Sequence, residues 1–282
     1  MNWRLLGTRA VWVLFATAAC ALHLGGCASG GPGGSGNWRA NPAAASRNDI
    51  ATASDDSEVR KRARIRLELA ATYFGQGQYT TALDEVKQTL AIDPSLTAGV
   101  EMRALIYDAM GEQARADESF RQALAMEPGN ASVLHNYAWS QCRRKAYDRA
   151  DALFDQAVKV PLAPTVPQSW LARGVCQMQS GKWAEAELSL NRAYELDPGN
   201  PAAGYNLANV LYHRGEFERA RYHARRVNMV PAQVNAESLW LAARIEHKLG
   251  NTAGRDEFGA QLRARFVGSR EATLFELGRF DD

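Results

Sequence analysis

The chain has 282 residues, 33 of them basic and 31 acidic, for a formal net charge of +2. If Arg4 and Arg9 are removed with an N-terminal leader the balance becomes 31 to 31, which argues against nucleic acid or a polyanionic surface as the main partner. The chain has no His-Glu-x-x-His, no Gly-x-Ser-x-Gly and no Gly-rich phosphate loop, so it reads as a non-enzyme without cofactor or metal.

In chain order, the first element is the leader. Arg4 and Arg9 precede an apolar run from Ala10 to Leu24, broken by Thr17 and His23, and the run closes on Leu24-Gly25-Gly26-Cys27. A charged start, an apolar stretch and small residues form a signal peptide over 1–26, and the run is short for a membrane span. The final tetrapeptide resembles a bacterial lipobox, which implies that Cys27 is acylated and becomes the mature N-terminus. A plain secretory signal and an uncleaved anchor helix are the competing readings. Cys20 fits a lipobox less well, because Thr17 stands where an aliphatic residue belongs. Ala28 follows Cys27; under enteric-type sorting rules the lack of Asp there implies the periplasmic face of the outer membrane. Residues 27–58 are rich in Gly, Ala, Ser and Asn, with Trp38 and Ile50 as the large apolar side chains. Such a segment cannot bury enough surface to offset its ordering entropy, so a flexible tether is expected.

From 59 to 270 the chain keeps a beat of 34 residues: Ala82, Ala116 and Ala150, then, after a slip of two, Ala186 and Ala220, with Pro94, Pro128 and Pro198 twelve residues behind an alanine. Gly-Gln-Tyr (77–79), Gly-Glu-Gln (111–113), Lys-Ala-Tyr (145–147), Gly-Lys-Trp (181–183) and Gly-Glu-Phe (215–217) precede these alanines. Each unit holds two helix-periodic stretches around a short turn, and the alanine sits where two helices cross closely. This pattern resembles the tetratricopeptide repeat, or TPR. The expected fold is all-α: a TPR solenoid of about six helical hairpins forming a right-handed superhelix. Units are expected near 63–96, 97–130, 131–166, 167–200, 201–234 and 235–268, followed by a tail at 271–282. The sixth is a weaker, capping unit, with Arg255 at the alanine position, and a monomer is the default. Pro161, Pro164 and Pro167 predict a longer connection between the third and fourth hairpins.

Cys142 and Cys176 fall on the first helices of adjacent units, at positions 12 and 10 of the repeat. A disulfide between them fits that register, and two buried free thiols are the alternative. No His or second Cys pair has metal-ligand spacing near them. The TPR resemblance also implies a concave groove lined by the first helices. Its candidate peptide-binding residues are Leu67, Phe74, Leu105, His135, Asn136, Trp139, Leu171, Met178, Tyr205, Asn206, Asn209 and Tyr212, a largely apolar and aromatic set suited to a peptide with hydrophobic anchors. Inter-helix packing is the competing use of Trp139, Tyr205 and Tyr212.

A narrower resemblance rests on Asn136-Tyr137-Ala138, Cys142, the proline-containing break, Tyr205-Asn206-Leu207-Ala208 and Arg265-Phe266-Val267-Gly268-Ser269-Arg270-Glu271. With the lipobox and tether, these resemble the PilF/PilW family of type IV pilus biogenesis lipoproteins, the pilotins; Val267 stands where that family often has Pro. The resemblance implies an adaptor anchored in the outer membrane that helps the pilus secretin reach, insert into or multimerise there. A TPR scaffold lipoprotein serving another envelope complex, in cell-wall or outer-membrane protein assembly, is the alternative, and a glycan- or small-molecule-binding solenoid is a third.

Overall fold

The computed structural model describes residues 57–281. The leader, Cys27 and the tether up to residue 56 lie outside the described residues. Twelve helices pair into six hairpins: α1 (Glu58–Gly75) with α2 (Tyr79–Ile92), α3 (Thr97–Ala109) with α4 (Gln113–Met126), α5 (Ala131–Arg143) with α6 (Tyr147–Ala157), α7 (Val166–Gln179) with α8 (Trp183–Leu196), α9 (Pro201–His213) with α10 (Phe217–Asn228), and α11 (Ala236–Lys248) with α12 (Thr252–Arg265). A thirteenth helix, α13 (Arg270–Glu276), follows. The described residues contain no strand, and none of their helices is long and apolar enough to cross a membrane.

The hairpins form because their ends are specified locally. Asn130, Asn200, Asn235 and Asn251 cap α5, α9, α11 and α12 by accepting from backbone N–H groups of the first turn, as Ser57 and Ser269 do for α1 and α13. Between the two helices of a hairpin the chain turns through a residue with positive φ. That residue is Gly77, Gly111, Gly181, Gly215 or Gly250 in five units and Lys145, at φ 62°, in the third. Only glycine enters this region without a Cβ penalty.

Packing follows the alanine beat. Ala82, Ala116, Ala150, Ala186 and Ala220 are fully buried, each in the first turn of a second helix. Gly174 shows how close the crossings are: a Cβ there would lie 2.5 Å from Cγ of Leu190. Each first helix also packs on the next first helix, whereas second helices keep their backbones apart and meet through side chains, as where Arg219 of α10 pairs with Glu187 of α8 and His223 meets Tyr194 edge-on at 4.9 Å. The first helices therefore form one continuous wall, and each second helix braces its own hairpin against the next. Phe120 stacked on Tyr137, with centroids 4.9 Å apart, fills the step between the second and third hairpins.

Two expectations at the C-terminal end need correction. The sixth hairpin is complete, and its Leu239, Leu241, Ile245, Phe258 and Leu262 belong to an apolar cluster that continues into the fifth hairpin. Arg255 does occupy the alanine position, and its guanidinium lies over the Phe280 ring at 5.6 Å. The expected tail is instead the cap. Helix α13 packs on both α11 and α12, and Phe280 is buried against Trp240 and His247, with centroids 5.4 and 4.4 Å away. At the other end, α1 begins five residues before the first expected unit, at Glu58.

Candidate functional site: the wall of first helices

The wall is held in register by polar links between residues about one repeat apart. Glu101 Oε1 accepts from the Ser132 hydroxyl and from the Asn136 amide, both at 2.7 Å. Asp108 accepts from the Ser140 hydroxyl at 2.6 Å and pairs with Arg143. His135 Nδ1 lies 2.9 Å from Ser169 Oγ, and its ring meets Phe154 edge-on at 5.9 Å. Burial pushes the His135 pKa down, so this imidazole is neutral near pH 7. These contacts connect α3 to α5 and α5 to α7.

Covalent linkage joins the same wall at its longest step. Cys142 on α5 and Cys176 on α7 form a disulfide with Cα atoms 5.9 Å apart. The two are nearly fully buried and share an apolar cluster with Ala138, Ala150 and Phe154, against which Trp139 packs. Between them lies the connection 158–165, where Leu162 has φ 56°.

The structure brings the expected groove residues onto one wall but gives them unequal freedom. Leu67, Phe74, Leu105, Trp139, Leu171, Met178 and Tyr205 are half-buried, with part of each side chain open. The Phe74 ring tilts against Tyr79 at 5.6 Å. The Tyr205 phenol, buried and close to Glu237 and Glu271, has its pKa pushed up to about 12 and stays protonated. Asn209 is half-buried, and its amide makes no hydrogen bond among the described residues, so it can serve a ligand backbone.

Three expected residues are committed elsewhere. The Asn136 amide is taken by Glu101, and the Asn206 amide donates to the Ala202 carbonyl of its own helix at 2.8 Å. Tyr212 is 7% exposed and lies under the Arg244 guanidinium, 4.6 Å from the ring centroid, with Phe217 beside it at 5.5 Å. It cements the fifth hairpin to the sixth.

Arg244 is the residue that sequence reasoning passed over. Counted back from the turn glycine, it stands where Asn209 stands in the preceding unit, six residues before Gly250 as Asn209 is before Gly215. That offset was the available signal. Its Nε also donates to the Phe280 carbonyl at 2.9 Å, so it joins the wall to the cap. Among the described residues no three His, Cys, Asp or Glu side chains converge for a metal. The wall offers a shallow, mostly apolar track with carboxylates in its first half and an unengaged amide in its second. Such a surface can bind an extended or helical peptide.

Models of the tetratricopeptide repeat match residues 101–167, 143–201 and 177–251. The type IV pilus assembly protein PilF of Pseudomonas aeruginosa is 27% identical over 210 residues, which is 74% of this chain and 83% of that protein. The crystal structure of PilW, described as a widely conserved type IV pilus biogenesis factor, is 30% identical and superposes with a TM-score of 0.68 over 77% of this chain and 98% of that one. The structure of P. aeruginosa PilF superposes with a TM-score of 0.67 at 26% identity, over 78% and 99%.

Proposed function

Because the chain belongs to the PilF/PilW family of TPR proteins, we propose that it is a non-catalytic adaptor of type IV pilus biogenesis, lipid-anchored through Cys27 at the periplasmic face of the outer membrane. In this reading the wall of first helices binds a segment of the pilus secretin and promotes its localisation or multimerisation. The observation that carries the reading is the match to PilW along nearly the whole of that chain. A half-open row of Leu67, Phe74, Leu105, Trp139, Leu171, Met178 and Tyr205 offers surface for apolar anchors, and Asn209 offers an amide for the peptide backbone.

An acylated adaptor acts by concentrating its client where assembly occurs. Tethering of this kind raises apparent affinity by roughly 10² to 10⁴ without any new contact. Removing the acyl group therefore damages location more than intrinsic binding. The test is deletion of the gene in its host, with heat-resistant secretin multimers and surface pili followed together, and complementation by Cys27→Ala and by Asn209→Arg. Loss of multimers on deletion, partial rescue by Cys27→Ala and failure of Asn209→Arg to rescue are expected. Normal multimers and pili in the deletion strain would overturn the proposal.

A further inference from the structure

In every hairpin the second helix ends and the next first helix begins at the same edge of the solenoid, opposite the glycine turns. The links along this edge repeat at the period of the fold. Gln233 donates to the Gly199 carbonyl and Arg265 to the Pro231 carbonyl, each 34 residues away. The described chain also enters here. Arg60, in the first turn of α1, donates to Asp93 at 2.8 Å and to Ser95 at 2.8 Å in the α2–α3 connection. The 56 preceding residues, with Cys27 among them, thus join the solenoid at this edge.

Exposed apolar side chains are more numerous at this edge than at the opposite one. Val59, Leu162, Leu196, Met229, Val230 and Val267 lie on it, whereas the glycine-turn edge carries Met110 and Leu277, and Ile65, Leu69, Leu188 and Tyr222 lie along α1, α8 and α10. Met229 is 78% exposed, Val267 83%, and Leu162 fully exposed. Leu162 holds a positive φ while burying nothing, a conformation a water-facing loop would assign to Gly or Asn. Around Met229, Val230 and Val267 stand the exposed Arg226, Arg265 and Arg270, none within salt-bridge distance of a carboxylate among the described residues. The tips stand on separate connections, Leu162 between α6 and α7, Met229 and Val230 between α10 and α11, and Val267 between α12 and α13. The cavities along this edge, of about 130 Å³ by Tyr194, His223 and Val230 and about 360 Å³ by Leu134 and Val160, sit between successive connections.

We infer that this edge, centred on Met229, Val230, Val267, Arg226, Arg265 and Arg270, is a second membrane contact that lays the solenoid on an anionic phospholipid surface. The inference rests on the reading that Cys27 is acylated. Separated apolar tips beside arginines that have no carboxylate partner suit the interfacial layer of a bilayer, where apolar tips enter the acyl boundary and cations meet phosphates. A protein partner of comparable affinity needs a larger contiguous and complementary face. With the edge on the lipid, the first helices stand off the membrane by their own length and the wall opens sideways.

The experiment uses the full acylated protein in vesicles of phosphatidylethanolamine and phosphatidylglycerol, with a polarity-sensitive fluorophore on Val267→Cys or, at the opposite edge, on Leu277→Cys. Mass spectrometry of the Cys27 peptide first establishes acylation, so that loss of the anchor and loss of the edge contact are distinguished. The label at 267 is expected to shift to the blue and to be quenched by lipid-borne quenchers, while the label at 277 is not. The double substitution Met229→Glu with Arg265→Glu, both on exposed side chains, should cut the quenched fraction about tenfold, as should replacing the anionic lipid with phosphatidylcholine, with circular dichroism unchanged. Equal responses at both edges of acylated protein, or none at either, would overturn the inference. So would a label at 267 that turns apolar only with solubilised envelope protein and not with vesicles, which assigns the edge to a protein partner.

Discussion

Replacing both Cys142 and Cys176 by alanine removes a cross-link between residues 34 apart in sequence. A loop of that size loses chain entropy in the unfolded state worth roughly 4 kcal/mol in the loop-closure model. The folded state keeps the other contacts between α5 and α7, including His135 beside Ser169. Truncating two nearly fully buried sulfur atoms to methyl groups adds a small packing loss. The expected destabilisation is therefore about 4 to 5 kcal/mol. The effect should be uneven, because each hairpin touches only its neighbours and the array behaves as a chain of coupled units. Urea unfolding followed by far-ultraviolet circular dichroism and by tryptophan emission would read both quantities, since two of the four tryptophans in the described residues lie on the cross-linked helices, Trp139 on α5 packed against the disulfide cluster and Trp170 on α7. The variant should unfold at lower urea, with the tryptophan transition preceding the helical one. A variant within about 1 kcal/mol of the parent, with coincident transitions, would show that the cross-link does not couple the two halves and that the entropy argument fails here.

Lys145→Gly should stabilise the protein by about 0.5 to 1 kcal/mol, because it relieves a positive φ that glycine fills at the same turn in five other units; the change in urea midpoint at constant slope measures it. Gly259→Ala should loosen the cap. A Cβ there would sit 2.0 Å from the Phe275 ring, so α13 must shift at a cost of about 1 to 3 kcal/mol, seen as faster amide exchange in 270–281 with little change in α1–α4. Acid should destabilise the fifth hairpin. Burial, aided by Arg219 and Arg226, lowers the His223 pKa to about 4, and its Nδ1 is buried without a partner. The unfolded chain, with an ordinary His pKa of about 6.5, then binds the extra proton, so stability is complete above pH 6.5 and falls as pH drops towards 4. After discounting for partial exposure, the loss is on the order of 2 kcal/mol. A His223→Gln variant should show less of this slope between pH 6.5 and 4 in urea titrations, and an unchanged slope would refute the assignment.

The repeat was legible because its signals are local and recur. An alanine at a crossing and a glycine at a turn each have one physical use at that spacing, and five copies of each reinforce it. The cysteine pair was legible for the same reason: register places both side chains on neighbouring first helices, although only the fold decides between a bond and two thiols. The C-terminal segment was not legible as a cap, because α13 is seven residues long and carries no copy of the repeat. Its order comes from Phe280 lying against Trp240 and His247, contacts no spacing rule anticipates. Groove positions followed from periodicity, but which of them stay open did not. Tyr212 faces the wall by register, yet Arg244 from the next hairpin covers it, and Asn136 spends its amide on Glu101 of the preceding one.

The hairpins are connected in series. A pull along the array passes through every junction in turn, so the softest one sets where it yields. The backbones of α4 and α5 approach each other less than those at any other step from a second helix to the next first helix. Side chains bind that step instead: Phe120 stacks on Tyr137 while Glu101, Asp108 and Asp117 reach Asn136, Arg143 and Arg144, and the following step carries the sulfur bridge. A pull is therefore resisted there by side chains rather than by close backbone, and substitutions at Phe120, Asp108 or Asp117 are the ones that would let the first two hairpins swing as an arm.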